Sequence, residues 1–373
     1  FTPIPLTSSA AQGGITINGQ DGRGTLHTLS NFKISGTDST GLIGSCSVSA
    51  TIQNLRLKDF TVSGRARVGA LIGSVQSSGG AVTVKNCGVY QSASGTGSVT
   101  GGESASSGAE TPTGGLIGSA EVNNGYGIDI ESCFSALGVA NDQRQTGGLI
   151  GKVSGGTTAA PVNLLNSYAS GSALSGTAGA YQSTAGGLIG AAGGTVTVTR
   201  CFSSADVYGS ASCGGMVGSN TGTLSITGSY ACGSVTAGSA LTYGPLVYGS
   251  GTVTFTSCRY LNQTGNTSAA DAYSGTVPSG VTACEYDDLA KTDAGTAISN
   301  KTAVCHPYRT ALQGTAYPFA MVTDEYYGDW PDRYTPAVHS NLSQNVYVVY
   351  YEKYGDGSWG YYTIDKDGSV IGD

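Results

Sequence analysis

Cysteine is the residue type in this chain with the clearest potential for chemistry, and its spacing is regular. Several cysteines stand three residues after the second apolar residue of an apolar-x-apolar segment, and serine takes that place in other copies. Such a column could bind a metal or cross-link successive turns of the chain. It could also fill a narrow part of the core, because unbonded cysteine is among the residue types most often buried. The column consists of Cys87, Cys133, Ser167, Cys201, Ser229 and Cys258, with Leu55 before it.

The serines and the leucine in this column favour the core interpretation. No Cys-x-x-Cys pair occurs, and His27, His306 and His339 are far apart in the sequence, so we expect no metal and no cofactor. Nine cysteines are an odd number, which leaves at least one thiol or one intermolecular bridge. A bridge between Cys284 and Cys305 would close a loop of about 20 residues and contribute roughly 3 kcal/mol. The sequence leaves open whether this candidate disulfide forms.

Aromatic residues directly follow the cysteine or serine in four successive copies. If their rings are exposed, the column could stack on the faces of sugars or contact a protein. If they are buried, the column is core packing, and the sequence does not decide between the two. The candidate ligand-binding residues are Phe134, Tyr168, Phe202 and Tyr230.

Carboxylates are sparse where an enzyme of this kind would need them. Only ten of the 24 Asp and Glu residues lie in residues 1–260, and none occupies the same repeat position in adjacent copies. Polysaccharide lyases and hydrolases need clustered carboxylates or a basic residue, so we expect no catalytic residue. The carboxylates to be located are Glu103, Glu110, Asp129, Glu131 and Asp142.

Threonine ladders raise one more possibility. Thr-x-Thr-x-Thr segments occur at residues 195–199 and 252–256, and an ice-binding face would need such ladders in every copy. Lys85, Asp129, Glu131 and Asn163 interrupt the pattern in the other copies, which argues against that function.

The elements that must position these residues come from an internal repeat. A Gly-Leu-Ile-Gly-like phrase recurs seven times, at intervals of about 30 residues, and a Val-x-Val-like phrase follows each copy. Alternation of this kind predicts short β-strands, and the 60 glycines predict tight corners between them. We therefore expect an all-β solenoid of about seven coils, with the insertions 92–113 and 172–185 as loops on one side. The phrases begin at Gly41, Ala70, Gly115, Gly148, Gly187, Gly215 and Pro245.

These phrases resemble the GLUG motif, a repeat of bacterial surface and secreted proteins. The best local matches are Gly147–Gly151 with Asn166–Gly171, and Gly214–Gly218 with Ser229–Val235. The resemblance covers roughly residues 36–262 and implies a right-handed parallel β-helix with a surface or adhesive role. The repeat also occurs in the non-catalytic part of IgA-cleaving metallopeptidases, but their His-Glu-x-x-His motif is absent here. Cysteine replaces the motif's serine at four positions.

Charge divides the chain in two. Residues 1–260 carry 11 Lys and Arg against ten Asp and Glu, whereas residues 261–373 carry six against 14. We therefore expect a β-helix over 1–265 and an acidic, Tyr-rich, β-rich C-terminal region over 266–373, with a hairpin of Val346–Tyr351 and Trp359–Ile364. Strands so near residue 373 suggest that the natural chain continues.

The sequence thus predicts a bacterial protein that is secreted or attached to the cell surface and acts as an adhesin. It would bind a glycan or a host extracellular protein through an extended solenoid face or its loops. The alternatives are a carbohydrate-active enzyme on the same scaffold and a structural stalk that binds nothing. A net charge of −7 gives no reason to expect nucleic acid as a partner. No apolar run is long enough for a membrane helix, and we expect a monomer.

Overall fold

The computed structural model is all-β, and the part of the chain that it describes contains no helix. It describes residues 2–7, 14–22, 27–91, 97–102, 110–175, 183–231, 233, 235–237, 243–261 and 278–284, together with the later strands named below.

The strands of the first part, in chain order, are β1 (Ile4–Leu6), β2 (Ile15–Asn18), β3 (Thr28–Ser30), β4 (Lys33–Gly36), β5 (Ile43–Gln53), β6 (Arg56–Lys58), β7 (Thr61–Gly64), β8 (Val68–Gly69), β9 (Ile72–Lys85), β10 (Gly88–Tyr90), β11 (Ser98–Gly101), β12 (Thr113–Gly114), β13 (Ile117–Val122), β14 (Ile128–Glu131), β15 (Phe134–Asn141), β16 (Gln145–Gly147), β17 (Ile150–Gly155), β18 (Val162–Leu165) and β19 (Tyr168–Ser175). They are followed by β20 (Thr184–Gly186), β21 (Ile189–Ala192), β22 (Thr195–Thr199), β23 (Phe202–Ser203), β24 (Asp206–Gly209), β25 (Ser212–Gly214), β26 (Val217–Asn220), β27 (Thr223–Thr227), β28 (Tyr230–Ala231), β29 (Val235–Ala237), β30 (Tyr243–Gly244), β31 (Val247–Gly249), β32 (Thr252–Thr256), β33 (Cys258–Leu261) and β34 (Val281–Cys284).

These strands form three parallel sheets that the chain visits in turn. Sheet A has 14 strands, sheet B has 14 and sheet C, built from the Gly-Gly phrases, has six. Sheet A has two halves: half A1 carries the Leu-Ile-Gly phrases and half A2 carries the Val-x-Val phrases. β5 and β9 run through both halves, whereas later coils use separate strands such as β13 and β14. Each coil pairs with the coils before and after it, which is the arrangement of a parallel solenoid.

The core lies inside the coils and consists of the apolar residues of both phrases. Leu149 and Ile150 of half A1, and Val162 and Leu164 of half A2, are at most 1% exposed. Asn163 and Leu165, which alternate with these two residues in β18, face outwards, as the alternation of a strand requires. The predicted repeat therefore becomes one continuous hydrophobic column along the solenoid.

The corner between half A2 and sheet B is made by a residue with a left-handed backbone. Asn166 has a φ of 49° and Arg200 a φ of 53°. Asparagine tolerates this conformation better than most residues, which accounts for the Asn of the Asn-Ser-Tyr phrase. The corner residues are Asn54, Asn86, Ser132, Asn166, Arg200, Gly228 and Ser257.

The prediction of an all-β parallel solenoid is confirmed; its hand and its number of coils stay predictions. The two insertions were expected to be loops, and this is wrong for part of each. Residues 92–113 include β11, and residues 172–185 include the end of β19 and the start of β20. β11 pairs with β7 and β15 in sheet B. The strand could not be recognised in the sequence, because it consists of Ser, Thr and Gly around a single apolar residue, Val99, which is buried in the core.

β34 extends sheet B beyond residue 265 by pairing with β33. Further on, the backbone forms two antiparallel sheets. One contains β35 (Ala303–Val304) and β36 (Phe319–Ala320). The other contains β37 (Ser340–Asn341), β38 (Val346–Lys353), β39 (Ser358–Ile364) and β40 (Val370–Gly372), in which β38 and β39 pair as a hairpin.

Candidate functional site

The cysteine column lies inside the solenoid, at the first residue after each left-handed corner. Each thiol or hydroxyl faces the carbonyl oxygen two residues before it; the Cys201 Sγ to Thr199 O distance is 3.3 Å. Neighbouring coils are linked as well, because the backbone N–H of Cys201 donates to the Ser229 hydroxyl at 3.0 Å. The six described cysteines are thiols, and all are buried. A thiol needs exposure and a low pKa to react, so this column packs the core.

Burial of these thiols predicts a loss of stability in alkali. Desolvation raises the pKa of Cys201 and of Cys213 to about 12 from the ordinary 9.0. The unfolded thiols ionise above pH 9 while the folded ones stay protonated, so their stabilisation is complete below about pH 9 and is lost as the pH rises towards 12. We expect the two thiols to lower the free energy of unfolding by about 3 kcal/mol at pH 10 relative to pH 7.

The measurement is urea denaturation across this pH range, with Cys201→Ser as the comparison. Serine already stands at positions 167 and 229 of the column, so this variant should fold. It should lose the part of the decline that Cys201 causes, about 1.5 kcal/mol at pH 10, because a hydroxyl does not ionise there. Identical pH profiles for the two proteins would contradict the buried, protonated state of Cys201.

The aromatic column forms one continuous stack on sheet B. Adjacent ring centroids are 5.2 Å apart for Phe134 and Tyr168, 4.7 Å for Tyr168 and Phe202, and 5.1 Å for Phe202 and Tyr230. The guanidinium of Arg56 covers the other face of Phe134, 5.5 Å from its centroid. The four rings are at most 6% exposed.

Stacking on a sugar requires an exposed ring face, and these rings have none to offer. Their burial favours the packing alternative, so we look for a binding surface elsewhere. The candidate disulfide cannot be placed, because the side chain of Cys284 and the whole of Cys305 lie outside the described residues.

The carboxylates considered for catalysis lie on different sides of the solenoid. Glu110 precedes sheet C and pairs with Lys152, Asp129 and Glu131 lie on half A2, and Asp142 lies between sheets B and C. Glu103 is outside the described residues. A two-carboxylate mechanism needs its groups around one bond. Asp129 and Glu131 are the one pair of these residues on a common face, and Glu131 is paired with Lys85.

The outer surface of half A2, called the A2 face below, gathers the polar side chains of eight strand segments in register. Its middle row is polar throughout, and every member is exposed or half-exposed. A row of this kind offers repeated hydrogen-bonding groups at the spacing of the coils, about 4.8 Å. The middle row consists of Thr16, Thr51, Thr83, Asp129, Asn163, Thr197, Ser225 and Thr254.

Hydrogen bonds connect the centre of this row along the solenoid. The Asn163 side-chain N–H donates to Asp129 Oδ1 at 2.7 Å, and the Thr197 hydroxyl donates to Asn163 Oδ1. In the row beside it, Lys85 and Glu131 form an ion pair with an N–O distance of 3.4 Å. These contacts hold the central side chains in fixed positions.

Tyr126 borders the A2 face at the turn that leads into β14. It is one of two large apolar side chains that are exposed in the described part of the chain, at 47%. The turn is held by a hydrogen bond from the Tyr126 backbone N–H to Asn123 O at 3.3 Å and by Ser77, whose hydroxyl donates to Tyr126 O. Sequence analysis missed Tyr126 because it lies outside both repeated phrases.

Other kinds of site are not found among the described residues. No group of three or more His, Cys, Asp or Glu side chains there could hold a metal ion. Within the same part of the chain, no helix has the length and apolar character to cross a membrane.

No protein-family model matches the sequence, and no curated protein matches it. A solved structure that is similar is the crystal structure of a putative immunoglobulin A1 protease from Bacteroides ovatus. The two share 17% sequence identity, the match covers 87% of this chain and 85% of that chain, and the TM-score is 0.46. The function of this chain therefore has to be inferred from its own residues.

Proposed function

We propose that this protein is a secreted or surface-attached bacterial adhesin that binds a glycan along the A2 face. The observation that carries the proposal is the unbroken polar row across eight strand segments, from Thr16 to Thr254. A glycan presents many hydroxyl groups at regular intervals, and the row presents hydrogen-bonding side chains at regular intervals. Many shallow contacts of this kind sum to useful affinity without a deep pocket.

The centre of the A2 face has the chemistry that recognises sugars. Asp129 and the Thr197 hydroxyl oxygen offer acceptors, and Asn163 keeps one side-chain N–H as a donor besides the one given to Asp129. The exposed ring of Tyr126, at the turn that leads into β14, can cover the apolar face of a sugar ring. Because Asp129, Asn163 and Thr197 are already ordered by their mutual hydrogen bonds, binding costs little side-chain entropy.

The bacterial surface location is supported by the repeats that resemble the GLUG motif. The buried thiols are compatible with an extracellular site, since their burial limits their reaction with oxidants. A glycan rather than a host protein is favoured because the A2 face is polar along its whole middle row. The core of a protein–protein interface is more apolar than that.

The test is retention of the purified protein on a panel of immobilised mucins, plant polysaccharides and host matrix proteins. We expect retention on at least one glycan and loss of most of it in Thr197→Arg, which places a long charged side chain in the middle of the A2 face. Ser219→Arg is the matched control, because Ser219 is half-exposed on half A1. It should bind as the wild type does, and both variants should keep the wild-type melting temperature within a few degrees.

Three results would contradict the proposal. Equal loss in both variants would place the binding site elsewhere, and retention on matrix proteins alone would make the partner a protein. Retention on no member of the panel would favour the stalk. Release of soluble sugar ends is read from the same samples, and its appearance would revive the enzyme alternative.

A further inference from the structure

The last three strands of half A2 form a regular array of hydroxyl groups. β22, β27 and β32 each place three side chains outwards, and these nine positions hold eight threonines and one serine. The three strands pair without a shift in register. This array, called the hydroxyl grid, consists of Thr195, Thr197, Thr199, Thr223, Ser225, Thr227, Thr252, Thr254 and Thr256.

The hydroxyl grid is regular and is held from behind by the core. Its rows repeat about every 4.8 Å across the strands and about every 6.6 Å along them. The residues between the outward positions, such as Val198, Leu224 and Ile226, are at most 1% exposed and fix the strands to the core. Threonine keeps a stiff side chain in a strand because its Cβ is branched. The nine hydroxyls therefore form a pre-organised surface rather than a set of independent groups.

Charge separates the hydroxyl grid from the rest of the A2 face. The ionised side chains of this face are Lys85, Asp129 and Glu131, which belong to the earlier strands β9 and β14. None of the nine grid positions carries a charge. The grid therefore offers a polyanion no counter-charges.

We infer that the hydroxyl grid binds an extended, uncharged, β-linked polysaccharide whose chain runs along the solenoid axis. An extended glycan of this class advances by roughly one coil spacing per sugar, so successive sugars meet successive strands. Threonine methyl groups contact the apolar ring faces, and the hydroxyls exchange hydrogen bonds with the sugar hydroxyls. This inference rests on the proposed function and adds the place of the contact and the class of glycan.

The experiment measures binding of the 373-residue protein to four probes of known chemistry. These are insoluble β-1,4-glucan, soluble mixed-linkage β-glucan, amylose as an α-linked chain, and polygalacturonate as a polyanion. We expect binding to the two β-glucans to exceed binding to amylose and polygalacturonate by at least about tenfold, which corresponds to 1.4 kcal/mol.

Two lysine substitutions locate the contact. Ser225→Lys places a charge at the centre of the hydroxyl grid and should weaken β-glucan binding by about tenfold or more. Ser219→Lys makes the same change on half A1, outside the A2 face, and should leave binding within about twofold. The melting temperature of each variant checks the fold.

The outcomes separate this inference from the proposed function. The protein could bind mucin or polygalacturonate but no β-glucan, and lose this binding in Thr197→Arg. That result would overturn the inference and leave the adhesin proposal standing. Equal weakening by Ser225→Lys and Ser219→Lys would also overturn it. Failure on every glycan would contradict both. If the protein inhibits ice recrystallisation and Ser225→Lys abolishes this inhibition, the hydroxyl grid binds ordered water rather than a glycan.

Discussion

Gly147→Ala should prevent the solenoid from folding, or destabilise it by at least about 4 kcal/mol. A Cβ at position 147 would lie 1.8 Å from the carbonyl oxygen of Ile150 and 2.7 Å from the backbone nitrogen of Gly190 in the next coil. Both atoms belong to the backbone, so no side chain can move away to make room. The same two contacts recur at Gly186, where the Cβ would lie 1.9 Å from the Ile189 carbonyl oxygen.

Soluble expression, circular dichroism and thermal unfolding measure this effect. Gly22→Ala is the matched control, because a Cβ at position 22 would meet nothing within 4 Å, and it should change stability by no more than about 0.5 kcal/mol. A folded Gly147→Ala protein with wild-type stability would show that the coils are not packed as closely as the structure has them.

This close packing explains why the Gly-Gly phrase is the most regular feature of the sequence. Gly148 lies opposite Ala169 across a narrow part of the core, and a Cβ at position 148 would lie 2.8 Å from that of Ala169. Three other coils repeat this contact of glycine with alanine or serine, at Gly115 with Ser135, Gly187 with Ser203 and Gly215 with Ala231. The repeat could be read from the sequence because one steric requirement recurs in these coils.

The binding surface was harder to predict, for a physical reason. The alternation of side chains along a strand assigns residues to the two faces of the sheet, but it does not show which face is covered by other parts of the protein. Tyr168 and Ala169 are neighbours in β19, so they lie on opposite sides of sheet B, yet both are fully buried. Sheet B is therefore covered on both sides at this point.

The Thr ladders were visible in the sequence, but their alignment was not. Lys85, Asp129 and Asn163 interrupt the Thr-x-Thr pattern when all copies of the repeat are compared together. In the structure the interrupting residues lie in earlier coils, and the last three strands pair without a break. Register between strands thus decides whether separate ladders become one surface.

Tyr168→Ala should lower the free energy of unfolding by about 3–5 kcal/mol without removing a glycan contact. Tyr168 is fully buried and stacks on Phe134 and Phe202 on its two faces. Its removal leaves a cavity and breaks two ring contacts, each worth about 0.5–1.5 kcal/mol beyond the buried area. Tyr168→Phe keeps both contacts and should cost less than about 1.5 kcal/mol.

Tyr126→Ala should show the opposite pattern. The ring of Tyr126 is half-exposed, so its loss should change stability by no more than about 0.5 kcal/mol. The same variant should weaken glycan retention, because it removes the aromatic surface beside Asp129. Denaturant titration and retention, measured on both variants, separate the two roles. If folded Tyr168→Ala lost retention while Tyr126→Ala kept it, the aromatic column would be the binding site after all, and the A2 face would lose its assignment.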